Sequence, residues 1–144
     1  MKKILLSTGL FIAISGISIA AEGIFYSDTY INKFAACSPY SESYTSNIPS
    51  QDPNSPTLHL KSTETIVGIQ AGKCATKSQV YSEDLKQDIV TVNCTFTNEQ
   101  RMALVDKMKK AKTDSQAAQD FQNTVTDYVK NRPEICTMKN LLAD

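Results

Sequence analysis

In TIVGIQAGKCATKSQVYSEDLKQDIVTVNCTF (Thr65–Phe96), extended-looking runs are separated by two turn signals. Thr65, Val67 and Ile69 alternate with their neighbours, and Gln70-Ala71-Gly72-Lys73 reads as a turn. Cys74 to Tyr81 is a β-branched and polar run; beyond Ser82–Gln87, Val90, Val92, Cys94 and Phe96 give the cleanest alternation in the chain. A hairpin closed on Ala71-Gly72 sets Ile69 opposite Cys74, Val67 opposite Thr76 and Thr65 opposite Ser78. A second hairpin closed on Asp84 sets Cys74 opposite Cys94, Thr76 opposite Val92 and Ser78 opposite Val90. Opposed residues share a face. Val67, Ile69, Cys74, Val80, Val90, Val92, Cys94 and Phe96 are therefore expected on one apolar face, with Lys77, Gln79, Thr91 and Asn93 on the other. Two independent registers that agree on one face predict an antiparallel meander.

The same registers bear on the four cysteines. An even count in a chain expected to be exported predicts two disulfides. No C-x-x-C occurs, so neither a redox pair nor a zinc knuckle is indicated. The expected pairs are Cys74–Cys94 across the second hairpin and, by elimination, Cys37–Cys136. Thr57 to Leu60 extends the first strand or forms a fourth. Because apolar parity switches between Leu58/Leu60 and Val67/Ile69, a bulge or turn is expected within Lys61–Glu64.

An apolar sheet face needs a cover, and three stretches at helical spacing supply it. Tyr30, Ile31 and Phe34 follow a cap at Ser27 or Asp28, and Pro39 ends that segment. Thr97-Asn98-Glu99-Gln100 matches a capping box and opens a helix carrying Leu104, Val105, Met108 and Ala111. A further helix, from about Ser115 to Asn131, carries Ala118, Phe121, Val125 and Tyr128. Between them, residues 38–56 are rich in Ser and Pro, include Tyr40 and Tyr44, and read as a long loop. The expected fold is α+β: an N-terminal helix, a three- or four-stranded antiparallel meander and two C-terminal helices, stapled by disulfides.

MKKILLSTGLFIAISGISIA at the N-terminus has Lys2 and Lys3, an uncharged apolar core and small residues at Ser18 and Ala20. This is the pattern of a signal peptide over residues 1–20, cut at Ala20–Ala21 or one residue later, leaving one domain over residues 21–144. The rival is an uncleaved anchor, since Ile4 to Ala21 carries no charge. Cleavage removes two of 15 basic residues and none of 15 acidic ones, so the remaining chain is mildly acidic. That balance argues against nucleic acid, which favours a basic face. After signal removal no stable membrane insertion is expected, and the localisation is periplasmic or extracellular.

The catalytic inventory is thin. Gly68 to Cys74 resembles a phosphate loop superficially, but its glycine spacing is wrong and Cys74 stands where Ser or Thr belongs. His59 is the only histidine, and no nucleophile with an orienting carboxylate is identifiable. Glu83-Asp84 sits at an expected hairpin tip, where carboxylates stay hydrated. Lys107, Lys109, Lys110 and Lys112 suit the C-terminal half of a helix. Asn93-Cys94-Thr95 fits the glycosylation sequon, on a strand unsuited to it. The expectation is a non-enzymatic chain without cofactor or metal. It would act as a binding, inhibitor or accessory module towards a protein or envelope partner, or alternatively as a structural or assembly component of the envelope. Tyr40 and Tyr44 are the candidate partner contacts, because tyrosine offers large area with few rotatable bonds.

Overall fold

Ala71 and Gly72 both take positive φ, 48° and 77°. They close a two-residue hairpin loop with Gln70 opposite Lys73. This is the handedness that matches the twist of the flanking strands, and glycine adopts it without steric cost. The structure, a computed structural model, describes residues 26–49 and 52–141. The expected signal segment and its cleavage site lie outside them.

The order is α1 (Asp28–Ala35), β1 (Tyr40–Ile48), β2 (Leu58–Gln70), β3 (Lys73–Ser82), β4 (Gln87–Phe96), α2 (Asn98–Ala111), α3 (Ser115–Asn131) and β5 (Cys136–Asn140). All five strands form one antiparallel sheet in sequence order. The α+β architecture with its flanking helices is as expected, with two strands more than the central meander supplies. β5 returns beside β4 after the helices. β1 occupies Tyr40–Ile48, inside the segment read as a loop. Its Ser-rich alternation has half-buried residues only on one side, so apolar periodicity could not reveal it.

The helix ends follow local chemistry. The Ser27 hydroxyl accepts from the Tyr30 N–H at 2.9 Å. Thr97 and Gln100 form the reciprocal capping box, at 2.9 and 3.2 Å. Asp114 caps α3. α1 ends with the Cys37 N–H bonded to the Phe34 carbonyl and the Ser38 N–H to the Lys33 carbonyl, both at 2.9 Å. Cys37 takes the left-handed position (φ 50°) at which glycine is usual. Its disulfide to Cys74 anchors that turn to the sheet.

Two bulges overturn the expected registers. β2 and β3 pair as expected from Gln70–Lys73 to Ile69–Cys74, but the register shifts between Ile66 and Gly68. Gly68, at φ 114°, supplies a backbone conformation that side-chain-bearing residues rarely adopt. The bulge lies at Val67 rather than in Lys61–Glu64. Beyond it Ile66 faces Thr76 and Glu64 faces Ser78. Leu60, Ser62, Glu64 and Ile66 therefore share the buried face, whereas Val67 and Ile69 are exposed, contrary to their expected core placement.

The second hairpin turns through residues 83–86, and Val80 pairs with Val90 before the register shifts by one around Ile89. Relative to a turn centred on Asp84, β4 is displaced by two residues. Phe96 then faces Cys74, and Cys94 faces Thr76. An even displacement preserves the face, so Val80, Val90, Val92 and Phe96 are buried as expected, and Lys77–Asn93 and Gln79–Thr91 pair on the opposite side.

That displacement decides the disulfides. All four cysteines are bridged, but the pairs are Cys37–Cys74 and Cys94–Cys136, not Cys74–Cys94 and Cys37–Cys136. Cys74 lies at the start of β3, with its Cα 5.8 Å from that of Cys37 just after α1. Cys94 is directly opposite Cys136 on β5, with Cα atoms 4.1 Å apart. The loops span 37 and 42 residues. Chain entropy assigns each about 4 kcal/mol.

The core fills the space between the sheet and the helices. Phe34 meets Phe96 edge-on at 5.7 Å, and Tyr26 meets Phe121 edge-on at 6.0 Å. Leu104, Val105, Met108 and Ala111 form the buried stripe of α2.

Candidate functional site

The sequence-derived candidates for chemistry lie apart. His59, on β2, is exposed; its N–H donates to Asp84 Oδ2 at 2.7 Å, and its Nδ1 lies 3.1 Å from Asp84 Oδ1. These bonds hold the Asp84 carboxyl below its usual range, the backbone N–H contributing most. The pair ties the start of β2 to the β3–β4 turn. Of the helical lysines, Lys107 pairs with Asp120 and Lys112 with Asp28, linking α2 to its neighbours. Among the described residues no three His, Cys, Asp or Glu side chains converge as metal ligands would.

β1 and what lies under it form a different environment. β1 is one of the two edge strands, β5 being the other: among the described residues its nine residues pair with β2 alone. It contains no proline, no lysine and no register shift; of the usual devices that protect an edge, only an inward-turned charged residue, Glu42, is present. Pro39 and Pro49 flank it. On the helix-free face, Ser41 and Thr65 hydroxyls lie 3.0 Å apart and Ser43 and Thr63 hydroxyls 2.9 Å apart, fixing β1 to β2.

Tyr40, Glu42 and Tyr44 point to the opposite, helix-covered face, and all three are half-buried. Tyr40 meets the Tyr30 ring at 6.4 Å and its hydroxyl donates to Glu42 at 3.4 Å. Tyr44 faces Ser62 across the strands, and its hydroxyl oxygen is buried without a hydrogen-bond partner. The two tyrosines thus sit on a strand and lean on the fold; they are not presented by a loop.

Glu42 and Glu64 are directly opposed across β1 and β2. Glu42 accepts from the Ser27 N–H at 3.2 Å and the Ser27 hydroxyl at 2.5 Å, which joins the edge strand to the cap of α1. Glu64 is 3% exposed. It accepts from the Ser78 hydroxyl at 2.5 Å through Oε2, while Oε1 has no hydrogen-bond partner. Burial pushes its carboxyl up to about 8, only partly offset by the Ser78 hydrogen bond, and the Glu42 charge raises it further. Tyr26 and Tyr30 are likewise pushed well above their ordinary range, by burial first and by Glu64 and Glu42 next.

Sequence reasoning missed Glu64. Within STETIV it reads as a polar residue between threonines, and only the bulge at Val67 turns it inward. The available signal was the Leu58/Leu60 parity, which continues through Ser62 and Glu64 to Ile66.

Neither family models, curated proteins nor solved structures give a match to this chain. The fold and site therefore define a class: a small α+β domain with two disulfides, a nine-residue edge strand with no outward partner among the described residues, and a buried carboxyl beneath it. No helix among the described residues is long and apolar enough to cross a membrane.

Proposed function

We propose that the chain is an exported binding module that receives an extended segment of a protein or envelope partner on the free edge of β1. The observation that supports this reading most directly is the edge itself: nine residues of strand that, among the described residues, have no strand on their outward side and include neither proline nor lysine. An added strand gains main-chain hydrogen bonds along such an edge, and alternate side chains give selectivity. Export is supported by the N-terminal pattern and by two disulfides, which persist in oxidising compartments. Tyr40 and Tyr44 serve this reading by bracing the strand from beneath. The domain has no enzymatic role in this account.

The test is a double substitution on exposed, helix-free positions, Ser43→Lys with Thr45→Lys. Inward packing is untouched, while the charges oppose edge pairing. Capture of a partner from the native envelope fraction should fall at least tenfold while the chain still melts cooperatively, at a somewhat lower temperature because the Ser43–Thr63 contact is lost and Thr45→Lys stands opposite Lys61. Equal capture by the variant contradicts the reading.

A second reading, assembly with other copies in the envelope, is favoured by one feature of β1. Antiparallel pairing of two β1 strands about Tyr44 sets Glu42 opposite Ser46 and Ser43 opposite Thr45, so no like charges meet. Concentration-dependent association in sedimentation that the double lysine variant abolishes supports assembly; a strict monomer supports a foreign partner.

A further inference from the structure

Of the inward residues of β1, Tyr40, Glu42, Tyr44, Ser46 and Ile48, only Glu42 is a carboxylate, and all are half-buried. Glu42 accepts from the Ser27 N–H at 3.2 Å, the Ser27 hydroxyl at 2.5 Å and the Tyr40 hydroxyl at 3.4 Å. These donors are neutral, so they bond the carboxylate without cancelling its charge. None of the ion pairs among the described residues brings Lys, Arg or His to it. Directly opposite on β2 stands Glu64, which burial keeps mostly protonated at neutral pH, so it neither neutralises nor duplicates that charge.

An inward charge beside a free edge is a means of refusing strands. A strand added to β1 would turn alternate side chains towards the helices, and the one directly opposite Glu42 would have its Cβ about 5 Å from that of Glu42. An apolar side chain there would strip water from an unneutralised carboxylate, and an acidic one would add repulsion. Lys or Arg would instead supply the missing opposite charge, on a stem long enough to lie along the tyrosine rings. Two positions to either side, the neighbours are Tyr40 and Tyr44. Tyr40 packs against the core at its half-buried margin, and apolar side chains beside the two rings would take their remaining exposed area out of water. One residue thus both refuses and admits, which is how a strand edge becomes selective.

We infer that Glu42 makes the β1 edge selective for an extended segment with Lys or Arg facing Glu42 and apolar residues two positions before and after it, facing Tyr40 and Tyr44. This inference rests on strand addition at β1 and adds the chemistry of the segment received. The intervening residues of that segment would stand beside Ser41 and Ser43 on the helix-free face, where polar side chains stay in water.

The experiment uses three end-capped peptides of alternating Val and Thr in which one central Val is replaced by Lys, Gln or Glu. Each is titrated into the folded, disulfide-bonded chain and followed by NMR shifts and amide protection on β1. The Lys peptide should bind about tenfold more tightly than the Glu peptide, with the Gln peptide between them. Added salt should narrow that spread. In Glu42→Gln, which keeps an acceptor for Ser27, the spread should shrink to about twofold or less. Equal affinities for three peptides that all protect β1 would overturn the selectivity and leave strand addition standing. A spread that survives in Glu42→Gln would overturn it in the same way. Should none of the peptides protect β1, strand addition itself fails, and the selectivity with it.

Discussion

The inner face of the sheet differs from one side to the other. Towards β4 it presents Val90, Val92, Phe96 and the Cys94–Cys136 bridge, all buried against helices. Towards β1 the same face presents Glu42, Tyr44, Ser62 and Glu64, with an unpartnered oxygen on Tyr44 and on Glu64. The β4 side gains from every buried atom at roughly 25 cal/mol per Å². The β1 side places polar groups where desolvation opposes folding. Local conflict of this kind is expected where a site is built, and the proposed function falls on the side where the conflict lies.

The largest expected effect tests the apolar side. Phe34→Ala, which empties the contact with Phe96, should lower unfolding free energy by about 3–5 kcal/mol in denaturant titration. A loss under about 1 kcal/mol would mean that the helices do not hold this face.

Glu64 sharpens the contrast through pH. Its carboxyl ordinarily titrates near 4.5 and here near 8, so between those values the folded chain holds a proton that the unfolded chain has released. Stability therefore falls as pH rises through that window, by an upper limit of roughly 5 kcal/mol. Glu64→Gln should flatten this slope, leaving stability little changed near pH 4.5 and raised at pH 8. Thermal melts across the window would show an unaltered slope if Glu64 is not the group responsible.

Smaller effects bracket the comparison. Thr97→Ala removes a capping bond on the well-packed side and should cost about 1 kcal/mol. Tyr44→Phe removes a hydroxyl that has no hydrogen-bond partner and should leave stability within about 1 kcal/mol of the parent, without a loss. A marked loss would show that this hydroxyl is satisfied in solution.

The caps at Ser27 and Thr97, the Ala71-Gly72 turn and the apolar faces of β3 and β4 were legible because each rests on residues close in sequence. What was hidden depends on single inserted residues. Val67 and Ile89 each add one position to a strand, and such insertions leave no mark in a period-two pattern beyond a parity change. The parity change at Leu58/Leu60 was visible, but its position was not, so Val67 and Ile69 were assigned to the core and Glu64 was overlooked. The disulfide pairing followed the same error, because a two-residue displacement of β4 preserves the face yet changes the partner of Cys74. β5 was obscured by its brevity and β1 by its polar composition.

The proposed function depends on the β1 edge, and amide hydrogen exchange on that strand tests it most directly. In the free chain, the outward N–H groups of Tyr40–Ile48 should exchange rapidly while those paired to β2 are protected. With the captured partner bound, alternate amides along β1 should become protected as an added strand takes them up. Protection that appears on the helices while β1 exchanges as before would contradict the account.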